Sequence, residues 1–110
     1  MKTTEGGDAI VVLITAASRE EAGRIARRLV EDRLAACVNI VPHVRSLFIW
    51  EQKLSEEDEV LLVVKSRRAR FGQLAAAVKQ LHSYSVPEII ALPVVLGSAD
   101  YLRWVSESTP

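Results

Sequence analysis

The stretch AIVVLITAASREEAGRIARRLVE, residues 9–31, decides the fold of this chain. It begins with Ala9–Ile14, a β-branched run of the kind that forms a strand covered on both faces. Ser18 and Glu21 then have the spacing of a capping box, with Ser18 as the N-cap of a helix. Behind them, apolar side chains recur at helical spacing. The stretch therefore predicts a strand followed by an amphipathic helix.

The rest of the chain continues this alternation of strands and helices. A second strand is predicted from Ala35 to Trp50, with a bend at Pro42 because proline is tolerated in strands chiefly at edges or bulges. The polar stretch from Glu51 to Asp58 predicts a hairpin tip. The remaining elements are predicted as a strand at 59–64, a helix opened by Ser66, a loop at 82–85, a strand at 88–96 and a closing helix at 99–107. This order predicts an α+β fold, a ferredoxin-like split βαβ sandwich with a four-stranded antiparallel sheet, two main helices and a short C-terminal helix.

Length, charge and cysteine content narrow the class of protein. A chain of 110 residues with 49% hydrophobic side chains builds one core without disulfides, and we expect a flexible tail at 1–8 and a single domain at 9–110. Fourteen basic side chains balance fourteen acidic ones, which argues against nucleic-acid binding. Cys37 is the only cysteine and no signal peptide is visible, so we expect a cytoplasmic protein. The longest apolar run, Ala9–Ile14, is too short to cross a bilayer, and no membrane partner is expected.

The sheet is expected to need further copies of the chain. The crossover rule places both long helices on one face of the sheet, yet three predicted strands are apolar almost throughout rather than alternating. The long second strand would reach about 50 Å at about 3.3 Å per residue, and so would overhang its own sheet. We therefore expect a homo-oligomer with closed symmetry. The alternative is a long bent hairpin that folds back on its own domain.

Four ordered motifs resemble one known family. They are AACVNIVP (35–42), SLFIWEQK (46–53), HSYSVPEII (82–90) and YLRW (101–104). In this order they are similar to the CutA family of divalent-cation tolerance proteins, over a span from Ala9 to Val105. The resemblance implies a ferredoxin-like subunit in a tight trimer, similar in architecture to the PII signalling trimers. It also implies a link to divalent metal tolerance, copper above all.

Two places depart from the pattern of that family. The family usually has His-Pro-Tyr-Glu before Val-Pro-Glu, whereas Ser83 and Ser85 stand here in place of the proline and the glutamate. This change removes one carboxylate from the loop and weakens a metal or acid–base role there. Glycine is common after the glutamate of the hairpin tip, where this chain has Gln52, so the turn is expected to differ.

Two side chains are candidate metal ligands. The imidazole of His82 suits copper, zinc or nickel, and the thiolate of Cys37 suits a soft ion such as Cu(I). Neither belongs to a CxxC or HxxxH pattern, and nothing in the spacing brings His82 near the other histidine, His43. The alternatives are a surface or capping histidine and a cysteine that packs as a small apolar group. Copper or another divalent metal is the only cofactor expected.

Two further groups of side chains are expected at subunit boundaries. If the hairpin tip meets the loop at 82–85 across a boundary, four side chains would line an inter-subunit cleft for an anion or metabolite; an interface salt bridge is the alternative. These four are Glu51, Lys53, Tyr84 and Glu88. A set of aromatic side chains is predicted to form the trimer interface rather than a ligand cage. The set is Phe48, Trp50, Tyr101 and Trp104.

Three classes of function remain open. The leading interpretation is a homotrimer of the divalent-cation tolerance type that binds copper or another divalent metal, without defined catalysis. The alternative is a PII-like sensor trimer that binds a metabolite or nucleotide between subunits, although no Gly-rich phosphate loop supports it. An enzyme ranks third, because the chain has no GxSxG motif, no Ser-His-Asp order and no paired histidines.

Overall fold

The computed structural model describes every residue from Met1 to Pro110. Its elements are β1 (Thr3–Glu5), β2 (Ala9–Ala16), α1 (Arg19–Glu31), β3 (Cys37–Trp50), β4 (Lys53–Arg67), α2 (Arg68–Leu81), β5 (Ile89–Pro93), β6 (Leu96–Ser98) and α3 (Ala99–Ser108). Four strands form an antiparallel sheet in the order β3-β4-β2-β5, and β1 pairs with β6 separately. The predicted α+β class, with one four-stranded antiparallel sheet and three helices, is confirmed.

Helix α1 begins as the capping box predicts. The Ser18 hydroxyl accepts the backbone N–H of Glu21 at 3.1 Å, and the Glu21 carboxylate accepts the backbone N–H of Ala17 at 3.2 Å. These two bonds satisfy donors that the first turn of a helix would otherwise leave free. The N-terminus of α1 is therefore fixed at the end of β2.

The core lies between one face of the sheet and the two long helices. Alternate side chains of β2 and β4 meet one apolar stripe from each helix, which is the arrangement that buries strands and helices together. The large fully buried members are Val12, Ile14, Leu62, Val64, Ile25, Leu29, Leu74 and Val78. Full burial of each such side chain stabilises the fold by about 1.5–3 kcal/mol.

The opposite face of the sheet is only partly covered. Helix α3 packs against β2 and β4 and buries Val105, while Arg67 of β4 donates from Nε to the carbonyl oxygen of Thr109 at 3.0 Å. Two apolar side chains of β5 on this face stay about half exposed, Ile90 at 51% and Leu92 at 48%. The short C-terminal helix is therefore too small to cover the apolar face of the sheet.

Strands β3 and β4 form a long hairpin that makes the molecule 47 Å long and 22 Å thick. The predicted tip at 51–58 is wrong: the turn is only Glu51–Gln52, and Lys53–Asp58 continues β4. Both turn residues have positive φ, 49° and 68°, as in the tight hairpin turn whose twist matches the strands. The predicted bend is present as a register shift between Val41 and Val44.

Within the first eight residues, predicted as a flexible tail, a short strand forms. Thr3–Glu5 pairs with Leu96–Ser98, and the backbone N–H of Gly6 donates to the carbonyl of Val95 at 3.0 Å. The last predicted strand, 88–96, is correspondingly divided between β5 and β6.

The predicted start of helix α2 also shifts. Ser66 is a buried strand residue, and its hydroxyl donates to the carbonyl of Leu34 at 2.6 Å, so the N-cap is Arg67. The polar side chain that predicted a cap therefore serves to join two distant segments.

Candidate functional site

A groove lies between the β3–β4 hairpin and the loop that follows α2. Its volume is about 800 Å³. Its lining includes three aromatic side chains, four carboxylates and no lysine, arginine or histidine. These side chains are Phe48, Trp50, Tyr84, Glu57, Asp58, Glu59 and Glu88. Because a cleft lined by one sign of charge concentrates the opposite sign, this groove favours cations and disfavours phosphates.

Tyr84 forms part of the groove wall through its contact with β4. The Tyr84 hydroxyl donates to Oε2 of Glu59 at 2.8 Å, and Glu59 is only 7% exposed. Burial, and then the hydrogen bond and charge of Glu59, raise the pKa of Tyr84 well above its usual value. The phenol therefore stays a neutral donor to a buried carboxylate.

His82, the first predicted metal ligand, is fully buried and has both ring nitrogens occupied. The backbone N–H of Tyr84 donates to Nδ1 at 3.0 Å, and Nε2 lies 2.7 Å from the carbonyl oxygen of Thr15. A carbonyl only accepts, so Nε2 carries the proton and Nδ1 accepts. The side chain has no exposed surface. This geometry argues against His82 as a metal ligand, since neither nitrogen offers a free lone pair.

Glu21 brings a second buried carboxylate to the same loop. Its Oε2 accepts the backbone N–H of Ser83 at 3.0 Å, and its Oε1 lies 3.7 Å from Nδ1 of His82. Burial raises the pKa of Glu21, but hydrogen bonds from Ser83 and Ala17 outweigh burial and hold the pKa below its usual value. Glu21 is therefore a buried negative charge that ties α1 to the loop after α2.

Cys37, the second predicted metal ligand, lies away from His82. Cys37 pairs with Lys65 of β4, whereas His82 contacts Thr15, whose partner on β4 is Leu61. Lys65 and Leu61 are four residues apart along β4, or about 13 Å at about 3.3 Å per residue. The two candidates do not share a site within one chain.

The four predicted cleft residues divide between two places. Tyr84 and Glu88 line the groove, whereas Glu51 and Lys53 lie at the end of the hairpin, outside it. That the hairpin end meets the groove across a subunit boundary stays a prediction.

The predicted interface aromatics also fall into two pairs. Phe48 and Trp50 line the groove, while Tyr101 and Trp104 of α3 stack with ring centroids 5.6 Å apart. All four residues are exposed in the single chain, by 40–49%. Burial and the nearby Cys37 raise the pKa of Tyr101. These side chains are available for contact with another subunit, and that role stays a prediction.

One pair of side chains of types that ligate metals was not predicted from the sequence. Nε2 of His43 and Oδ1 of Asp58 lie 2.8 Å apart on the exposed surface of the hairpin. Imidazole nitrogen and carboxylate oxygen both ligate divalent transition metals. No group of three His, Cys, Asp or Glu side chains is arranged to hold a metal ion. The pair therefore offers two ligands, and further ligands have to come from water or another chain.

Together, these features define a class: an α+β chain with a four-stranded antiparallel sheet, an overhanging hairpin and an acidic groove. Residues 10–108 match the family described as CutA1 divalent ion tolerance protein. The chain belongs to this family.

Several relatives carry the same family name. The divalent-cation tolerance protein CutA of Thermus thermophilus is 52% identical over 99 residues, which are 90% of this chain and 96% of that protein. The chloroplastic protein CutA of Arabidopsis thaliana is 44% identical over 100 residues, or 91% of this chain and 55% of the plant protein. The solved structure of the Thermus thermophilus protein superposes with a TM-score of 0.91 at 50% identity, covering 93% of this chain and 99% of that one.

The cellular location stays a prediction. No helix combines the length and apolar character needed to cross a membrane. The relatives include one named chloroplastic and, in Archaeoglobus fulgidus, one described as periplasmic. Members of the family thus carry names from different compartments.

Proposed function

We propose that this chain assembles into a homotrimer that binds copper or another divalent cation on its hairpins, and that divalent-cation tolerance is its role. Membership of the CutA1 divalent ion tolerance family supports the role. The observation that carries the proposal is the exposed His43–Asp58 pair at the edge of an acidic groove.

The chemistry of this pair supports cation binding. His43 and Asp58 are held on neighbouring strands, and their side chains are 60% and 77% exposed. Metal–ligand bonds from imidazole nitrogen and carboxylate oxygen are about 2.0–2.2 Å long, so a small movement of the two side chains admits an ion between them. Asp58 also lines the groove, whose carboxylates raise the local concentration of cations. The same carboxylates disfavour the nucleotide of the PII-like alternative.

The incompletely covered sheet supports assembly. Val11 pairs with Leu92 and Leu13 with Ile90 on the face that α3 covers only in part. Exposed apolar surface of this kind is a mark of a protein–protein interface. The β3–β4 hairpin of the same chain extends beyond the sheet. A closed ring of copies would bury both this hairpin and the partly covered sheet face.

Calorimetric titration with Cu(II) tests the metal site. We expect saturable binding by the native protein and a loss of at least about tenfold in affinity in His43→Ala, because one of two side-chain ligands is removed. Cys37→Ser and His82→Gln are controls that remove the two ligands predicted from the sequence. Undiminished binding by His43→Ala would contradict the site, and loss only in a control would move it to that residue.

Light scattering of two matched variants tests the interface. Leu92→Lys places a charge on the incompletely covered face, and Val30→Lys places the same charge on α1, where the residue is 40% exposed. A charge buried without a partner costs several kcal/mol, so we expect Leu92→Lys to dissociate the assembly and Val30→Lys to leave it intact. An intact assembly in Leu92→Lys would place the interface elsewhere.

A further inference from the structure

The segment from His82 to Tyr84 is fixed by hydrogen bonds from three different elements. His82 contacts the end of β2 through Thr15, Ser83 contacts α1 through Glu21, and Tyr84 contacts β4 through Glu59. Tyr84 and the residues after it form one side of the groove. The position of this wall thus depends on a few buried polar bonds.

The central bond of this set requires a neutral imidazole. Nδ1 of His82 accepts the backbone N–H of Tyr84, and Nε2 donates to the carbonyl of Thr15. A second proton on the ring has to go to Nδ1, where it would face the N–H of Tyr84. Two donors cannot share a hydrogen bond, so protonation abolishes the bond that orients the backbone at Tyr84.

A new partner for the added proton already lies nearby. Oε1 of Glu21 is 3.7 Å from Nδ1, beyond hydrogen-bond distance but close enough for an ion pair after a small rotation of the ring. A protonated Nδ1 that pairs with Glu21 no longer accepts the N–H of Tyr84, whose ring packs against the imidazole with centroids 4.6 Å apart. The two arrangements therefore exclude each other.

We propose that His82 is a pH-sensitive switch that holds Tyr84 against Glu59 when its imidazole is neutral and releases that groove wall when the imidazole is protonated. The switch acts on the groove wall that Tyr84 forms and does not use His43 of the metal pair.

The charges around His82 set the direction of the switch. Glu21 of α1 faces the ring, β2 presents only a backbone carbonyl, and Glu59 of β4 contacts Tyr84, whose ring packs against the imidazole. Lowering the pH therefore shifts the balance from the Tyr84–Glu59 contact to the His82–Glu21 pair.

Fluorine NMR of the whole protein labelled with 3-fluorotyrosine tests the proposal. The chain has two tyrosines, so Tyr101→Phe assigns the two signals, and two histidines, so His43→Gln leaves His82 alone to titrate. Nitrogen NMR of the imidazole follows its protonation and tautomer in the same samples. We expect a neutral ring protonated on Nε2 at high pH, and a Tyr84 signal that shifts in the same pH step as the His82 ring.

Two variants separate a switch from a general effect of acid. Glu21→Gln removes the charge that receives the imidazolium, so the step in the Tyr84 signal is expected to move to lower pH. In His82→Gln the step in the Tyr84 signal is expected to vanish. A Tyr84 signal that stays fixed while His82 titrates, or a ring that stays neutral until the protein unfolds, would overturn the proposal. Both of these measurements are made on a protein that retains His82, so they test the proposal even if His82→Gln does not fold.

Discussion

Replacing Tyr84 with phenylalanine removes one hydroxyl and keeps the ring that packs against His82. The lost hydrogen bond is 2.8 Å long and joins the hydroxyl to a Glu59 carboxylate that is almost completely buried. Hydrogen bonds to charged groups contribute about 1.5–3 kcal/mol, and a buried charge left without its donor bears the full cost of desolvation. We expect Tyr84→Phe to lower the free energy of unfolding by this amount near neutral pH.

The same substitution is expected to change the response to alkali. Burial, and then the hydrogen bond and charge of Glu59, raise the pKa of Tyr84 in the folded protein. An unfolded chain releases the phenolic proton near pH 10 while the folded chain retains it, so the contribution of Tyr84 to stability is full below about pH 10 and is lost as the pH rises further. Tyr84→Phe lacks this proton and loses less stability across that range.

Urea unfolding followed by circular dichroism at about pH 8 and about pH 10.5 measures both effects. Protein concentration is held fixed because subunit association contributes to apparent stability. Tyr101→Phe is the control near neutral pH, since no hydrogen bond from the Tyr101 hydroxyl contributes to the network. Equal free energies of unfolding for Tyr84→Phe and the native protein would refute the account of this network.

Three further substitutions test the backbone and the acidic side of the site. Gly6→Ala would place a Cβ atom 1.7 Å from the carbonyl oxygen of Val94, so we expect a loss of about 1–3 kcal/mol; an unchanged melting temperature would contradict the pairing of β1. Gln52→Gly relieves a left-handed backbone and is expected to gain about 0.5–1 kcal/mol in urea unfolding, whereas a loss would exclude the tight turn. Burial raises the pKa of Glu21, but the hydrogen bonds of Ser83 hold it below its usual value, so the stability that Glu21 contributes is present above its unfolded pKa and lost as the pH falls through the folded one. Glu21→Gln should therefore flatten the acid side of the stability curve, and an unchanged acid slope would contradict this role.

The elements with strong apolar periodicity could be predicted from the sequence. Helix α1 begins at its capping box, and α3 extends one residue beyond its predicted end. The end of the hairpin could not be predicted this way, because β4 there is held by polar cross-strand pairs, Arg45 with Glu56 and His43 with Asp58. Strand β1 has only three residues and no apolar pattern, so its pairing depends on β6 alone.

In the site, too, the contacts of single side chains could be predicted from the sequence only in part. Sequence spacing predicted Glu21 as a capping residue, and its second role, the bond to Ser83, exists only because α1 and α2 pack side by side. The motif containing His82 was visible in the sequence. The partners of its two ring nitrogens were not, because they come from β2 and from the turn of the loop. A two-residue turn at Glu51–Gln52 would have placed residue 43 near residue 58 and revealed the missed pair, but neither residue is a glycine that would mark such a turn.

The mass of the native assembly tests the proposed homotrimer, because neighbouring copies are expected to cover the apolar face around Leu92. Native mass spectrometry of the metal-free protein should give three times the chain mass of 12.2 kDa. A well-folded monomer of 12.2 kDa, with the face around Leu92 open to solvent, would contradict the account.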